Sequence, residues 1–161
     1  MPKDIQISWD EQLLEGDLLY AEGDLTGDAG LETAIIISIF SDRRASSEDD
    51  LPDSQNPDRR GWWGDLTTES TSMGQDQIGS KLWLLERSKT TPETLARAKL
   101  YIEESLQWLI NDGVAVKVEV EVERQGVVGS DVLAFSVKIY KSDGEEETFN
   151  FTDQWTAQFL N

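Results

Sequence analysis

In the run Asn111-Asp112-Gly113-Val114-Ala115-Val116-Lys117-Val118-Glu119-Val120-Glu121-Val122-Glu123, valine holds every second position from 114 to 122. The residues between are mostly charged, the period-two pattern of a strand with one dry and one wet face. After the loop at Gly126–Gly129 the pattern returns in Leu133, Phe135, Val137 and Ile139. Ser142-Asp143-Gly144 forms a tight turn, and Thr148-Phe149-Asn150-Phe151 is a last short strand with both phenylalanines inward. Three adjacent strands joined by short turns predict an antiparallel meander. Upstream, Asn111-Asp112-Gly113 is a helix stop. The helix it ends begins at Thr91, an N-cap, with Pro92 at the first helical position and Glu93 complementing the dipole. Its apolar stripe is Leu95, Ala98, Ile102, Leu106, Leu109 and Ile110. A shorter helix is expected over Gly79–Arg87, with Leu82, Leu85 and Ile78 on one face. A small sheet needs a packed layer, so two to three helices must cover the valine face, and the class is α+β.

Toward the N-terminus the signals weaken. Leu31–Phe40 is a near-continuous apolar run that periodicity alone leaves open between helix and strand. Residues 41–60 are polar, acidic and hold two prolines, which predicts a flexible, solvated loop. Residues 1–30 are dense in Gly and Asp and read as a loop-rich layer, with Ile5–Trp9 as a strand candidate. The expected organisation is one domain over 1–161, with a helix–helix–meander core at 78–151. At 161 residues two independent cores would be a squeeze.

Composition removes whole classes of function. Fourteen Lys+Arg stand against 32 Asp+Glu, a formal net charge of −18. Such a surface repels phosphate backbones and anionic lipid, so neither nucleic acid nor membrane is an expected partner. The chain has no Cys and no His, which rules out thiol nucleophiles, Cys zinc sites, imidazole ligands and Ser-His triads. No cofactor and no metal are expected. The longest apolar run is too short to span a bilayer, and the N-terminus has no apolar signal core, which predicts synthesis in a cytoplasm.

The sharpest local feature is Arg59-Arg60-Gly61-Trp62-Trp63-Gly64-Asp65. Paired tryptophans between glycines put rigid apolar area where the backbone turns tightly, and Trp and Arg dominate interface hot spots. Arg60, Gly61, Trp62, Trp63, Gly64 and Asp65 are therefore candidate partner-binding residues, with one tryptophan expected inside and the other at the contact. Glu119 and Glu121 are the second candidate set. They stand on the wet face of a strand whose edge could accept a partner, where they would limit uncontrolled pairing and select a basic partner. Carboxylates are abundant enough to raise a lysozyme-like, carbohydrate-active alternative. Yet Glu103 and Glu104, or Glu119 and Glu121, lie on exposed faces with neither convergence nor desolvation. In Asp24–Gly30, Asp24, Thr26 and Asp28 fit the first EF-hand positions, but Ala29 replaces the required glycine and Ile35 the bidentate Glu. Turns are the better reading.

In order along the chain, these motifs resemble the Mu-like phage baseplate protein family. The resemblance runs through Gly30-Leu31-Glu32-Thr33-Ala34, Ser41-Asp42-Arg43-Arg44-Ala45, Arg60–Asp65, Ile78–Leu85, Thr91-Pro92-Glu93-Thr94 and Leu106–Ala115. It covers roughly residues 4–142. It implies a helix at 31–40 and a structural subunit of a phage or prophage contractile-tail baseplate in place of an enzyme. The implied partners are other wedge proteins and the tail sheath protein, with sheath nucleation by strand exchange and sixfold copies in the virion. The "lysozyme" label on relatives implies no active site. Two departures stand out. Many wider-family members carry Glu-Pro-Arg at the helix-to-strand junction, where this chain has Asn111-Asp112-Gly113-Val114-Ala115, and the acidic 46–58 loop is longer than the family pattern leads one to expect.

Overall fold

The structure, a computed structural model, describes residues 4–10, 15–18, 20–21, 24–25, 27–28, 31–63, 65, 77–86, 88, 91–127 and 130–151. Its C-terminal half is the predicted meander. Strands β7 (Ala115–Val127), β8 (Ser130–Lys141) and β9 (Glu146–Phe151) pair antiparallel in the order β7-β8-β9. The register sets Val118 opposite Ile139, Val120 opposite Val137 and Val122 opposite Phe135. Phe135 then faces Phe151, and Val137 faces Phe149. One face of the sheet is therefore aliphatic and aromatic from edge to edge.

One valine leaves the pattern. A register shift between Ala115 and Lys117 rotates the strand, so Ala115 is buried and Val116 is 63% exposed. A bulge inserts a residue and resets which side chains face inward. The expectation that the whole series Val114–Val122 shares a buried face is thus corrected at its beginning.

Helices close the dry face. α1 (Glu32–Phe40) runs through the apolar segment whose state periodicity left open. Its Phe40 ring lies 6.1 Å from Phe135 and 5.6 Å, edge-on, from Phe151. The long helix expected from Thr91 is there, with Pro92 at its start and the Thr91 hydroxyl accepting from Thr94 N–H at 3.2 Å. It is broken, however, into α2 (Pro92–Ser105) and α3 (Gln107–Asn111). The Ser105 hydroxyl donates to the Ile102 carbonyl at 2.8 Å, sharing an acceptor that the helix ladder also uses. Leu106 N–H divides between Ile102 and Glu103, and Leu106 sits at φ −101°, ψ 0°. The jog keeps Leu106 and Leu109 fully buried and leaves Ile110, expected in the stripe, 39% exposed. The expected short helix is a 3-10 turn, Leu82–Leu85, all four residues of which are buried.

The core joins Ile35, Ile39, Leu85, Ile102, Leu106, Leu109, Val120, Val137 and Ile139 in one cluster. The N-terminal layer carries more regular pairing than a loop-rich reading implies. β1 (Asp4–Ile5) pairs with β6 (Gly27–Asp28), β2 (Ile7–Asp10) with β3 (Glu15–Leu18), and β4 (Tyr20–Ala21) with β5 (Asp24–Leu25). Ile7 N–H donates to the Thr33 hydroxyl at 3.0 Å, fixing this layer to the start of α1. Among the described residues no helix is long and apolar enough to cross a membrane.

The bulge makes a contrast that equilibrium urea unfolding can read. Ile139→Ala should lower stability by about 2–5 kcal/mol, as a fully buried site does. Val116→Ala should change it by less than about 0.5 kcal/mol, because that valine faces water.

Candidate functional site

The site grows from the close approach of two segments that are distant in sequence. Residues 41–45 leave α1 extended, and Asp42 bridges Ser80 in parallel. Ser80 N–H donates to Ser41 O at 2.9 Å, Arg43 N–H to Ser80 O at 2.9 Å, and the Ser80 hydroxyl to Ile39 O at 2.6 Å. Gly79, at φ +98°, permits this; a Cβ there would lie 2.3 Å from Ser41 O. The chain returns through 59–63 beside the same segment, with Ala45 N–H donating to Arg59 O at 2.9 Å. Residues 41–60 thus lack regular secondary structure but are tied down by their own hydrogen bonds. Lys81 pairs with Asp49 at 2.6 Å. Burial works against the charged form of Asp49, but hydrogen bonds from Lys81 and Ser46 outweigh it and hold the carboxyl below its ordinary range.

Arg60 is the junction of these segments. Its guanidinium grips Glu86 with two bonds, Nη1 to Oε1 at 2.8 Å and Nη2 to Oε2 at 2.9 Å. Nη1 also reaches Asp42 at 2.9 Å, and the guanidinium carbon lies 4.6 Å from the centre of the Trp83 ring. Trp83 is 3% exposed, and its indole N–H donates to Arg43 O at 2.8 Å. A planar fork that stacks and binds a carboxylate bidentately is what arginine supplies and lysine does not. Partial burial opposes the Arg60 charge, yet Glu86 and Asp42 keep its pKa above the ordinary value. Partial desolvation of the Asp42 carboxyl, which stays 45% exposed, raises its pKa above the ordinary value, with Glu86 and Asp58 adding to it against the pull of Arg60.

The backbone here is held in unusual conformations. Arg60 has φ +50°, a left-handed setting that costs a non-glycine residue about 1–2 kcal/mol. Gly61 follows at φ +105°, where a Cβ would lie 2.6 Å from the Arg44 Cβ. Two successive positive φ values swing the next residues away from the body. Trp62 is 46% exposed and Trp63 73%, their ring centres 5.4 Å apart and tilted by 48°. This corrects the expectation of one tryptophan inside and one outside: both lie at the surface, and among the described residues the buried indole is Trp83. Asp65 is buried, and its Oδ1 accepts from Ile78 N–H at 3.4 Å. Gly64 lies outside the described residues. Of the motif, then, the two tryptophans present free area, while Arg60 and Asp65 face the chain's own residues.

The second candidate set is placed on the outer face of the sheet. Glu119 accepts from Lys117 and, at 2.6 Å, from the Tyr140 hydroxyl. The bond from Lys117 and then that from Tyr140 hold its carboxyl below the usual range, the opposite of what a general acid needs. Glu121 is exposed one pleat along, opposite Ser136. Glu103 and Glu104 are neighbours on α2. Asp24 and Asp28 fall in the paired strands β5 and β6. Among the described residues no group of three or more carboxylates is arranged to hold a metal.

Comparison with known proteins places this architecture. The family described as phage protein GP46 matches residues 31–146, from α1 through the first two strands of the meander. The chain belongs to the GP46 family. The baseplate protein gp46 of Escherichia phage Mu is 44% identical over 121 residues, 75% of this chain and 77% of the relative. The Mu-like prophage FluMu protein gp46 of Haemophilus influenzae is 37% identical over 153 residues, 95% of this chain and 98% of the relative. The Mu-like resemblance read from the motifs is therefore correct. The GP46 match also contains the whole Arg60 junction, from Asp42 through Glu86.

Sequence reasoning missed Trp83, Glu86 and Asp42 as the partners of Arg60. The available signal was an indole set among leucines, Leu82-Trp83-Leu84-Leu85, followed directly by a glutamate. Substitution separates the two kinds of tryptophan: Trp83→Ala should lower stability by about 3–5 kcal/mol in urea unfolding. Trp62→Ala and Trp63→Ala should each cost less than about 1.5 kcal/mol, since neither leaves a closed cavity. Arg60→Lys keeps the charge but loses the fork and the stack, and should cost about 1 kcal/mol, a value discounted for the one-third exposure of the pair.

Proposed function

We propose that this chain is a structural, non-catalytic subunit of a phage or prophage contractile-tail baseplate, that it contacts other wedge proteins, and that it helps nucleate the sheath. The name of the phage Mu relative, a baseplate protein, supports this reading. The observation that carries the protein–protein reading is the adjacent pair Trp62 and Trp63, both turned outward on a backbone fixed by the Arg60 junction. Exposed aromatic area on a rigid support is favoured at interfaces, because little side-chain or loop entropy is lost when it is covered. The outer edge of the sheet is the second proposed contact. β7 spans thirteen residues, pairs with β8 on one side, and is long enough to receive a strand from the sheath protein. On this reading the protein is made in the host cytoplasm, enters the virion tail, and occurs there in sixfold copies.

The test is assembly. Trp62→Ala and Trp63→Ala phages should produce few or no complete tails by electron microscopy, while the isolated variants keep the wild-type circular dichroism spectrum. Normal particles from both variants would remove the tryptophan pair from the interface. Co-expression with neighbouring tail genes should bring down a wedge or sheath protein with the wild type, and less of it with the variants.

A further inference from the structure

The tryptophan pair and the sheet edge leave a third surface unexplained. A groove of about 1070 Å³ runs between the 43–47 segment and the α2–α3 elbow. One wall carries Arg43, Arg44 and Arg59, with Lys81 beside them; exposed Leu100 and half-buried Trp108 add apolar surface, and Glu103 and Glu104 stand on the helix side. In a chain with 32 carboxylates and only 14 basic residues, three arginines gather on one wall. Most other described cations find an acid: Arg60, Lys81, Lys99, Lys117, Lys138 and Lys141 all form ion pairs. The three groove arginines form none among the described residues. They donate instead to neutral oxygens: Arg43 to the Gln77 amide, Arg44 to the Arg60 carbonyl at 3.4 Å, and Arg59 to the Ser46 carbonyl. A guanidinium with five donors retains capacity after such a bond.

We infer that this groove docks an acidic, amphipathic segment of a different protein, its carboxylates on the arginine wall and an apolar side chain against Leu100. Charge complementarity selects the occupant: the wall is locally cationic, so it recognises the sign that the rest of the surface repels. A second copy is disfavoured, since two chains of net charge −18 repel one another. The groove lies on the side of the Arg59–Gly61 turn occupied by Arg44, so a segment seated there also braces the turn that presents the tryptophans. The inference stands on the groove alone and does not require the baseplate reading.

The test opposes local to global charge. The probe is a fluorescein-labelled synthetic helix with one leucine face and one glutamate face, compared by fluorescence anisotropy with the same peptide carrying lysine for every glutamate. Global charge alone favours the lysine peptide; the groove favours the glutamate peptide, which should bind at least about tenfold tighter near physiological salt, where the Debye length is about 8 Å. Arg44→Glu and Leu100→Ala, both at exposed positions that leave the core intact, should each weaken the glutamate peptide about fivefold or more. Tighter binding of the lysine peptide, or equal affinity of wild type and Arg44→Glu for the glutamate peptide, would overturn the inference. Resonance shifts in the bound state should centre on Leu100 and Trp108; shifts centred on Trp62 and Trp63 would overturn it as well.

Discussion

The Arg60 guanidinium ties three segments into one unit. Two bonds to Glu86 reach the end of the 3-10 turn, one to Asp42 reaches the exit from α1, and the stack on Trp83 reaches the core. Each bond alone is modest, because the pair is about one-third exposed and surface ion pairs contribute little. Their convergence on one planar group is what matters. It offsets the left-handed backbone at Arg60, and that backbone with Gly61 turns Trp62 and Trp63 outward. Apart from the junction, the mostly polar residues 41–61 reach the core only through Ala45 and Leu51 among the described residues.

The same junction shows where a sequence can be read and where it cannot. The meander was legible because alternation in β7 and β8 reports a face directly, and the cap at Thr91 because its hydroxyl and Pro92 act locally. Val116 was misassigned because a bulge is a backbone event with no signature in an unbroken Val-x-Val series. The break at Ser105–Leu106 was hidden for a related reason: the hydroxyl that competes for the Ile102 carbonyl reads as an ordinary helix residue. Helix α1 is the converse case. Its isoleucines disfavour helix locally, and burial of Ile35 and Ile39 against the core decides the matter. In the Arg60–Asp65 motif, the expected division into one buried and one exposed tryptophan fails. Which indole is buried depends on Glu86 and Asp42, 26 and 18 residues away, and no local pattern carries that information.

Charge gives the surface its logic. A net charge of −18 makes copies of the chain repel one another. On the outer face of the sheet, Lys117, Glu119, Lys138, Tyr140 and Glu146 satisfy one another, so these charges are committed to the fold. Among the described residues, the aromatic pair, the β7 edge and the arginine-lined groove remain available for a partner. These are three surfaces of different chemistry.

The central claim is that the Trp62–Trp63 surface is covered by another protein in the assembled tail. Benzoylphenylalanine incorporated in place of Trp63, followed by irradiation of intact particles and mass spectrometry, tests it most directly. The account predicts a covalent product joining residue 63 to a different tail protein. Fully assembled particles in which residue 63 gives no intermolecular product would contradict it.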